Sequence, residues 1–324
     1  MNRMSTMSAK DAARRAGTPA TNGADRHSDA APARHEAGVG CRSTRPVRPA
    51  STARNILVTG ASSGIGRAIV EYLAARGDRV FAGARSDRAI GELGGLPNVV
   101  PVRLDVTQAE SVDAAVAHVR GLTGTLDALV NNAGSVVAGP LIDVTPEAMS
   151  AQLEVNLVGV HRVTRAFFPL LLAAKGHVVN ISSTGGRVAL PFMGPYVASK
   201  FGLEAFSDSL RRELAPCGVK VSVIQPGAIR TPIWDKTDPH DAHLDGSIFA
   251  ARARAFGRLM LERARTGGRP PDTIARAVHR VLGSRRPRPR YLVTEANLMT
   301  RVAGLLPDRW LDIAISRAIR GASP

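Results

Sequence analysis

In the stretch YVASK, residues 196–200, a phenol and an ammonium group lie four positions apart. On a helix that spacing puts Tyr196 and Lys200 on one face, one turn from each other. A phenol titrates near pH ~10, and a neighbouring ammonium stabilises the phenolate, drawing the value toward the range where a general acid/base works best. From spacing alone, the pair is either a tuned proton donor and acceptor or two surface neighbours with no task. A second cluster, TGASSGIG, places Gly60, Gly64 and Gly66 between an apolar run and a helical one. Glycines there let the backbone turn tightly and approach a pyrophosphate at a helix N-terminus, where free N–H groups favour an anion. With Ser62, Ser63 and Ile65 between them, they form the expected dinucleotide cradle, and its place at the start of a strand–helix–strand unit is the context that gives the motif weight.

Which dinucleotide depends on the end of the second strand. An acidic side chain about 20 residues past the glycines binds the ribose hydroxyls of NAD, whereas an arginine accommodates the 2′-phosphate of NADP. The sequence there is AGARSD, with Ala84 and Arg85 at the position and no carboxylate on it. NADP is the expected cofactor, with NAD as the alternative.

These clusters are carried by an alternation of short apolar runs and helical stretches. NILVTG, RVFAGA, VVPVRLD, LDALVNNAG, HVVNIS and KVSVIQP read as strands. Helices are expected up to Gly77, after Thr107, from Val155 to Ala174, and around Tyr196. Strands that are apolar throughout, separated by helices, indicate a parallel sheet covered on both faces, that is, a single-domain doubly wound α/β fold of the Rossmann type. Residues 55–284 form this domain, and 231–268 within it suit a substrate-binding flap. Segment 285–324 adds a short strand, RYLV, and an amphipathic helix starting at Pro307 and Asp308, with Trp310, Leu311, Ala314, Ile315 and Ala318 on one face. That helix is expected to pack on the domain; the other reading is weak peripheral membrane contact.

The chain has 324 residues and a formal charge of +16. The charge is concentrated at the ends: residues 1–54 hold ten basic and four acidic side chains, and 285–324 hold eight and three. Residues 1–54 contain no aromatic and almost no large aliphatic side chain, so they are expected to be disordered. Arginine without interleaved aromatics argues against nucleic-acid recognition. Cys41 and Cys217 have no metal-ligand spacing, and no metal is expected. The longest uninterrupted apolar run, Ala166 to Ala174, is under half of the roughly 20 residues a spanning helix needs. With no hydrophobic run of signal-peptide type near the start, a cytoplasmic protein is expected.

Taken together, TGASSGIG, NNAG at 131–134, YVASK and PGAIRT at 226–231 resemble the motifs of the classical short-chain dehydrogenase/reductase family, in order and at family-like distances over residues 54–235. The segment from Ser183 to Phe206 looks like that of the 17β-hydroxysteroid and retinol dehydrogenase branch. The resemblance implies an NAD(P)-dependent oxidoreductase with four catalytic residues. Tyr196 would exchange a proton with the substrate oxygen, Lys200 would lower the phenol's pKa and hold the nicotinamide ribose, Ser183 would hydrogen-bond the substrate oxygen, and Asn156 would hold a water that relays protons to the lysine. It further implies cofactor contacts from Asp105 and Val106 at the adenine, Asn132 and Gly134 beside the ribose, and Pro226, Gly227, Ile229 and Thr231 in the late segment. From the residue alone, Asp105 would be a helix N-cap.

The positions expected to line the substrate pocket are Val136, Val137, Leu190, Phe192, Met193, Ile233 and Trp234, with Ser183 and Tyr196 at the chemistry. An apolar cleft with one polar point suits a lipophilic ketone, aldehyde or alcohol. NADPH-dependent reduction is the leading expectation. The alternatives are NAD-dependent alcohol oxidation on the same fold and a nucleotide-sensing or membrane-recruited scaffold without turnover. By resemblance, a homodimer or homotetramer is expected.

Overall fold

The computed structural model describes residues 53–233, 244, 246–295 and 306–320. The expectations for residues 1–52 and for Trp234 lie outside the described residues. Seven strands, β1 (Asn55–Val58), β2 (Arg79–Ala84), β3 (Val99–Arg103), β4 (Ala128–Asn131), β5 (His177–Ile181), β6 (Lys220–Pro226) and β7 (Arg290–Val293), form one sheet in the order β3-β2-β1-β4-β5-β6-β7. Every neighbouring pair is parallel. The order reverses between β1 and β4, which opens a crevice at the carboxyl ends of the strands, where such sheets bind ligands.

The described helices are α1 (Gly64–Ala74), α2 (Asp87–Gly94), α3 (Ala109–Leu122), α4 (Pro146–Leu153), α5 (Gly159–Ala174), α6 (Gly194–Leu214), α7 (Ala250–Thr266), α8 (Asp272–Gly283) and α9 (Asp308–Arg320). The pleat divides the core into two layers: Ile56 and Val58 of β1 point toward α1 and α8, with Ile69, Leu73, Ile274 and Val278. Leu57 points the other way, into a layer with Val112 and Val119 of α3 and Val163, Phe167 and Leu171 of α5. Because both faces are covered, the strands have no polar alternation, and each buried aliphatic or aromatic side chain contributes about 1.5–3 kcal/mol.

Two elements differ from the sequence expectation. The long helix starts earlier, at Pro146 behind a Thr145 cap that accepts from the Ala148 N–H, and a π-helical turn at Glu154–Val158 separates α4 from α5. The run from Pro146 to Ala174 has the length and hydropathy of a membrane span, but in this fold its Val163, Phe167 and Leu171 lie in the core. At the other end, α9 buries none of its described side chains, and Trp310 is 70% exposed. On its apolar face Leu311 and Ile315 are half-buried while Trp310 and Ala314 are exposed, so among the described residues that face is covered only in part.

Candidate active site

The nucleotide cradle is built by close backbone approach. Gly60 has φ +64, and a Cβ on it would lie 2.7 Å from the Ala133 Cα; one on Gly66 would lie 2.2 Å from the Gly60 carbonyl oxygen. Ser62 and Ser63 are exposed on this turn, while Ile65 packs against the α1/α8 layer. Ser63 makes no side-chain cap, and the first turn of α1 has no acidic residue, so the helix N-terminus keeps its N–H groups for an anion. Thr231 stands across the turn, 3.2 Å from where a Gly64 Cβ would be, which brings the PGAIRT segment to the glycines. Pro226 and Ile229 are buried behind it, and the Gly227 N–H donates to the Val293 carbonyl. These features fit a dinucleotide pyrophosphate.

Asn132 locks the cradle: its side-chain amide donates to the Thr59 and Gly60 carbonyls at 3.0 and 3.1 Å. The Thr59 hydroxyl in turn accepts from the Asn132 and Ala133 N–H groups. Gly134 is exposed at the crevice. On the adenine side, Asp105 Oδ1 accepts from both the N–H and the hydroxyl of Thr107 in a turn ahead of α3, whose N-cap is Gln108 and not Asp105 as expected from the residue alone. Its Oδ2 stands 3.9 Å from the Arg85 guanidinium, which is 71% exposed at the end of β2. Val106 is buried beside it.

Ser183, just past β5, accepts from the Gly185 N–H at 3.0 Å beside Tyr196, in the first turn of α6; burial raises the Tyr196 phenol above its ordinary value, with the Ser183 hydroxyl opposing. Lys200 is buried, donates to the Ile181 carbonyl at 3.0 Å, and has its ammonium 5.6 Å from the Tyr196 ring centroid. Burial pushes Lys200 down to about 8, with Glu204 opposing. The expected downward pull on the phenol is therefore not the direction found in the protein alone, because both groups lose solvent together.

Asn156 lies in the π-turn and is buried. Its amide oxygen accepts from the Ser135 N–H, and its nitrogen donates to the Ser135 carbonyl and to the Ser199 hydroxyl. The side chain thus ties the π-turn to α6 beside Lys200. One turn earlier, Gln152 of α4 holds the segment after β4, accepting from the Val137 N–H and donating to the Ser135 carbonyl. Thr59, Gln152 and Ser199 escaped sequence reading because their roles lie in tertiary partners that no local spacing reveals.

Opposite the cradle, Val136, Leu190, Phe192, Met193 and Tyr196 come together in one apolar cluster. Three residues missed in the sequence join it, Val197 of α6 and Phe256 and Met260 of α7; the signal for the last two was their four-residue spacing. Phe192 adopts φ +62, rare for a bulky residue, and is held there by the Gly139 N–H on its carbonyl at 2.8 Å. Its ring lies 5.7 Å from that of Phe256. Val137 and Ile233 are half-buried outside this cluster.

A family model described as short chain dehydrogenase matches residues 54–242. The chain belongs to the short-chain dehydrogenase family. It is an oxidoreductase that works between hydroxyl and carbonyl groups with a nicotinamide dinucleotide. It is 38% identical over 274 residues to the NADPH-dependent 3-dehydrocapnine reductase of Ornithobacterium rhinotracheale, covering 80% of this chain and 95% of that protein. A 42% match over 187 residues to the 3-amino-tetrahydro-pyrrolizinone reductase of Xenorhabdus hominickii covers 57% of this chain and 65% of that relative, less than two thirds of its length. Human retinol dehydrogenase 16 is 41% identical over 218 residues, 60% of this chain and 67% of that one. Short-chain dehydrogenase structures fit in both cofactor forms. One from Burkholderia cenocepacia with NADP has a TM-score of 0.65 at 28% identity, covering 81% of this chain and 97% of that one. One from Burkholderia phymatum with NAD has 0.67 at 26%, covering 78% and 92%.

Proposed function

We propose that this short-chain dehydrogenase reduces a lipophilic ketone or aldehyde to its alcohol with NADPH, and runs the reverse reaction when the alcohol is in excess. The observation that carries the substrate class is the cluster of Val136, Leu190, Phe192, Met193, Phe256 and Met260 around the Tyr196 ring, where the Ser183 and Tyr196 hydroxyls supply the polar point. A substrate oxygen placed between them receives a hydrogen bond from Ser183 as negative charge develops and a proton from Tyr196. Lys200, one turn on, keeps a positive charge beside the phenol, and Asn156 and Ser199 hold its helix against the π-turn. A bound nicotinamide dinucleotide supplies the hydride, and the positive charge of its oxidised ring favours the phenolate during alcohol oxidation.

The preference for NADPH rests on Arg85, which projects from β2 with no carboxylate at its own position. The test is fluorescence titration of NADPH and NADH into wild type and Arg85→Ala. The expected result is NADPH binding at least ~10-fold tighter (about 1.4 kcal/mol), with the margin lost in the variant. Equal or tighter NADH binding overturns the cofactor assignment in favour of NAD-dependent alcohol oxidation.

The same reading includes a cytoplasmic homodimer or homotetramer. The oligomer is supported by the groove between α5 and α6, lined by His161, Phe168, Phe206, Leu210 and Leu214; light scattering on the purified chain tests it. The exposed Trp310 and Ile313 on α9 favour weak membrane contact, to be tested by flotation with liposomes.

A further inference from the structure

The catalytic helix carries a second charged residue one turn beyond Lys200. Glu204 is buried, with its side chain 9% exposed, in a place where carboxylates are seldom found without a task or a partner. Its Oε1 accepts from Gln225 Nε2 of β6 at 2.9 Å, and its Oε2 from Arg290 Nε of β7 at 2.8 Å. Arg290 also donates to Asp208, a further turn along α6, at 3.0 Å. Space for the Glu204 stem comes from Gly186: a Cβ there would lie 3.0 Å from Glu204 Cγ and 3.1 Å from the Lys200 carbonyl.

We propose that Glu204, held by Gln225 and Arg290, is a positioning residue whose negative charge sets the proton affinity of Lys200 and through it that of Tyr196. The proposal rests on reading Tyr196 and Lys200 as the acid/base pair. Residues four apart on a helix face one another, so the Glu204 charge lies on the Lys200 side of α6, and it acts to raise the lysine against the effect of burial. Among the described residues, the groups around the lysine are few. Tyr196 and Glu204 lie on its own helix; β5 supplies the Ile181 carbonyl; Ser183 just past it, Gln225 of β6, Asn156 of the π-turn and the Thr184–Gly186 turn bring no charge. Arg290 and Asp208 act from behind Glu204, and Arg211 stands 3.3 Å from Asp208. Burial is thus the largest influence on the lysine, Glu204 is the charge that opposes it, and Arg290 bears on it through its ion pair with Glu204. That arginine lies on β7, in the C-terminal segment beyond the family motifs, so the last strand is coupled electrostatically to the catalytic helix.

The chain contains five lysines, so the full-length protein labelled with [ε-13C]lysine resolves Lys200 by NMR, assigned with Lys200→Met. Glu204→Gln keeps the side-chain shape, and its Lys200 midpoint is expected to move down by about half a unit to one unit. Arg290→Gln removes the offsetting charge, and its midpoint is expected to move up. A clamp with a purely structural role gives no such pair of opposite shifts. Midpoints within about 0.2 unit of wild type in both folded variants, or shifts of the same sign, overturn the proposal; melting curves establish folding, and either variant alone still tests the sign. The readout is the lysine's own titration without substrate, so it stands apart from the function reading, which fails instead if Tyr196→Phe leaves turnover intact.

Discussion

On the nucleotide side of the crevice, Asn132 commits its amide to two carbonyls of the glycine turn and Thr59 takes two N–H groups. Across the crevice, Phe192, Phe256 and Met260 meet through apolar contact alone. The first wall tolerates almost no change, since hydrogen bonds and sub-contact glycine distances fix each atom. The second is shaped by van der Waals packing, which many side-chain sets could satisfy. That contrast explains why the chemistry of this chain reads more clearly than its substrate: directional bonds need particular residue types at particular spacings, and an apolar wall does not.

The contrast can be broken at several points. On the hydrogen-bonded side, Ser183→Ala removes the donor to the developing oxyanion, and kcat is expected to fall by about 10²–10³ with NADPH affinity unchanged; steady-state rates and fluorescence titration separate the two. Gly66→Ala drives a Cβ against the Gly60 carbonyl. Overpacking of this kind costs about 1–3 kcal/mol, so the dissociation constant for NADPH should rise roughly 10-fold or more. On the apolar side, Leu190→Ala should lower kcat/KM for a long-chain ketone by roughly 10-fold, change the ranking among ketones of different length, and leave NADPH binding as it was. If Leu190→Ala weakens NADPH as much as Gly66→Ala does, the two walls are not separate.

The smallest effect on turnover lies away from both walls, at His177 at the start of β5. Ser222 donates its hydroxyl proton to the Arg288 carbonyl, so His177 Nε2 donates to Ser222 at 3.0 Å. Burial, with the nearby Lys220 charge, pushes His177 down to about 3. Its folded value is depressed, so its contribution to stability is present above pH ~6.5 and is lost as pH falls toward 3, by up to about 1.4 kcal/mol per pH unit. Denaturant melts of wild type and His177→Asn between pH 7 and 4 are expected to converge as the pH falls. Parallel curves would show that His177 does not set the acid limit.

Much of the fold was legible because strands covered on both faces must be apolar throughout, and runs such as NILV and KVSVI leave little choice. The π-turn around Asn156 was not, since a wide turn inside a helix follows from tertiary bonds to Ser135 and Ser199 rather than from composition. The residue types of Ser183, Tyr196 and Lys200 were visible in the sequence, but the raised phenol was not, because desolvation depends on what covers the groups. Amphipathicity in α9 suggested a covered face; exposed Trp310 beside half-buried Leu311 and Ile315 shows that a hydrophobic stripe states a need without naming what meets it.

The most direct test is single-turnover reduction of a lipophilic aryl ketone by the NADPH complex, compared between wild type and Tyr196→Phe. The account predicts NADPH binding within about 3-fold of wild type and hydride transfer slowed by at least ~10². Transfer within a few-fold of wild type would contradict it, and the Tyr196–Lys200 pair would then have to be read as structural.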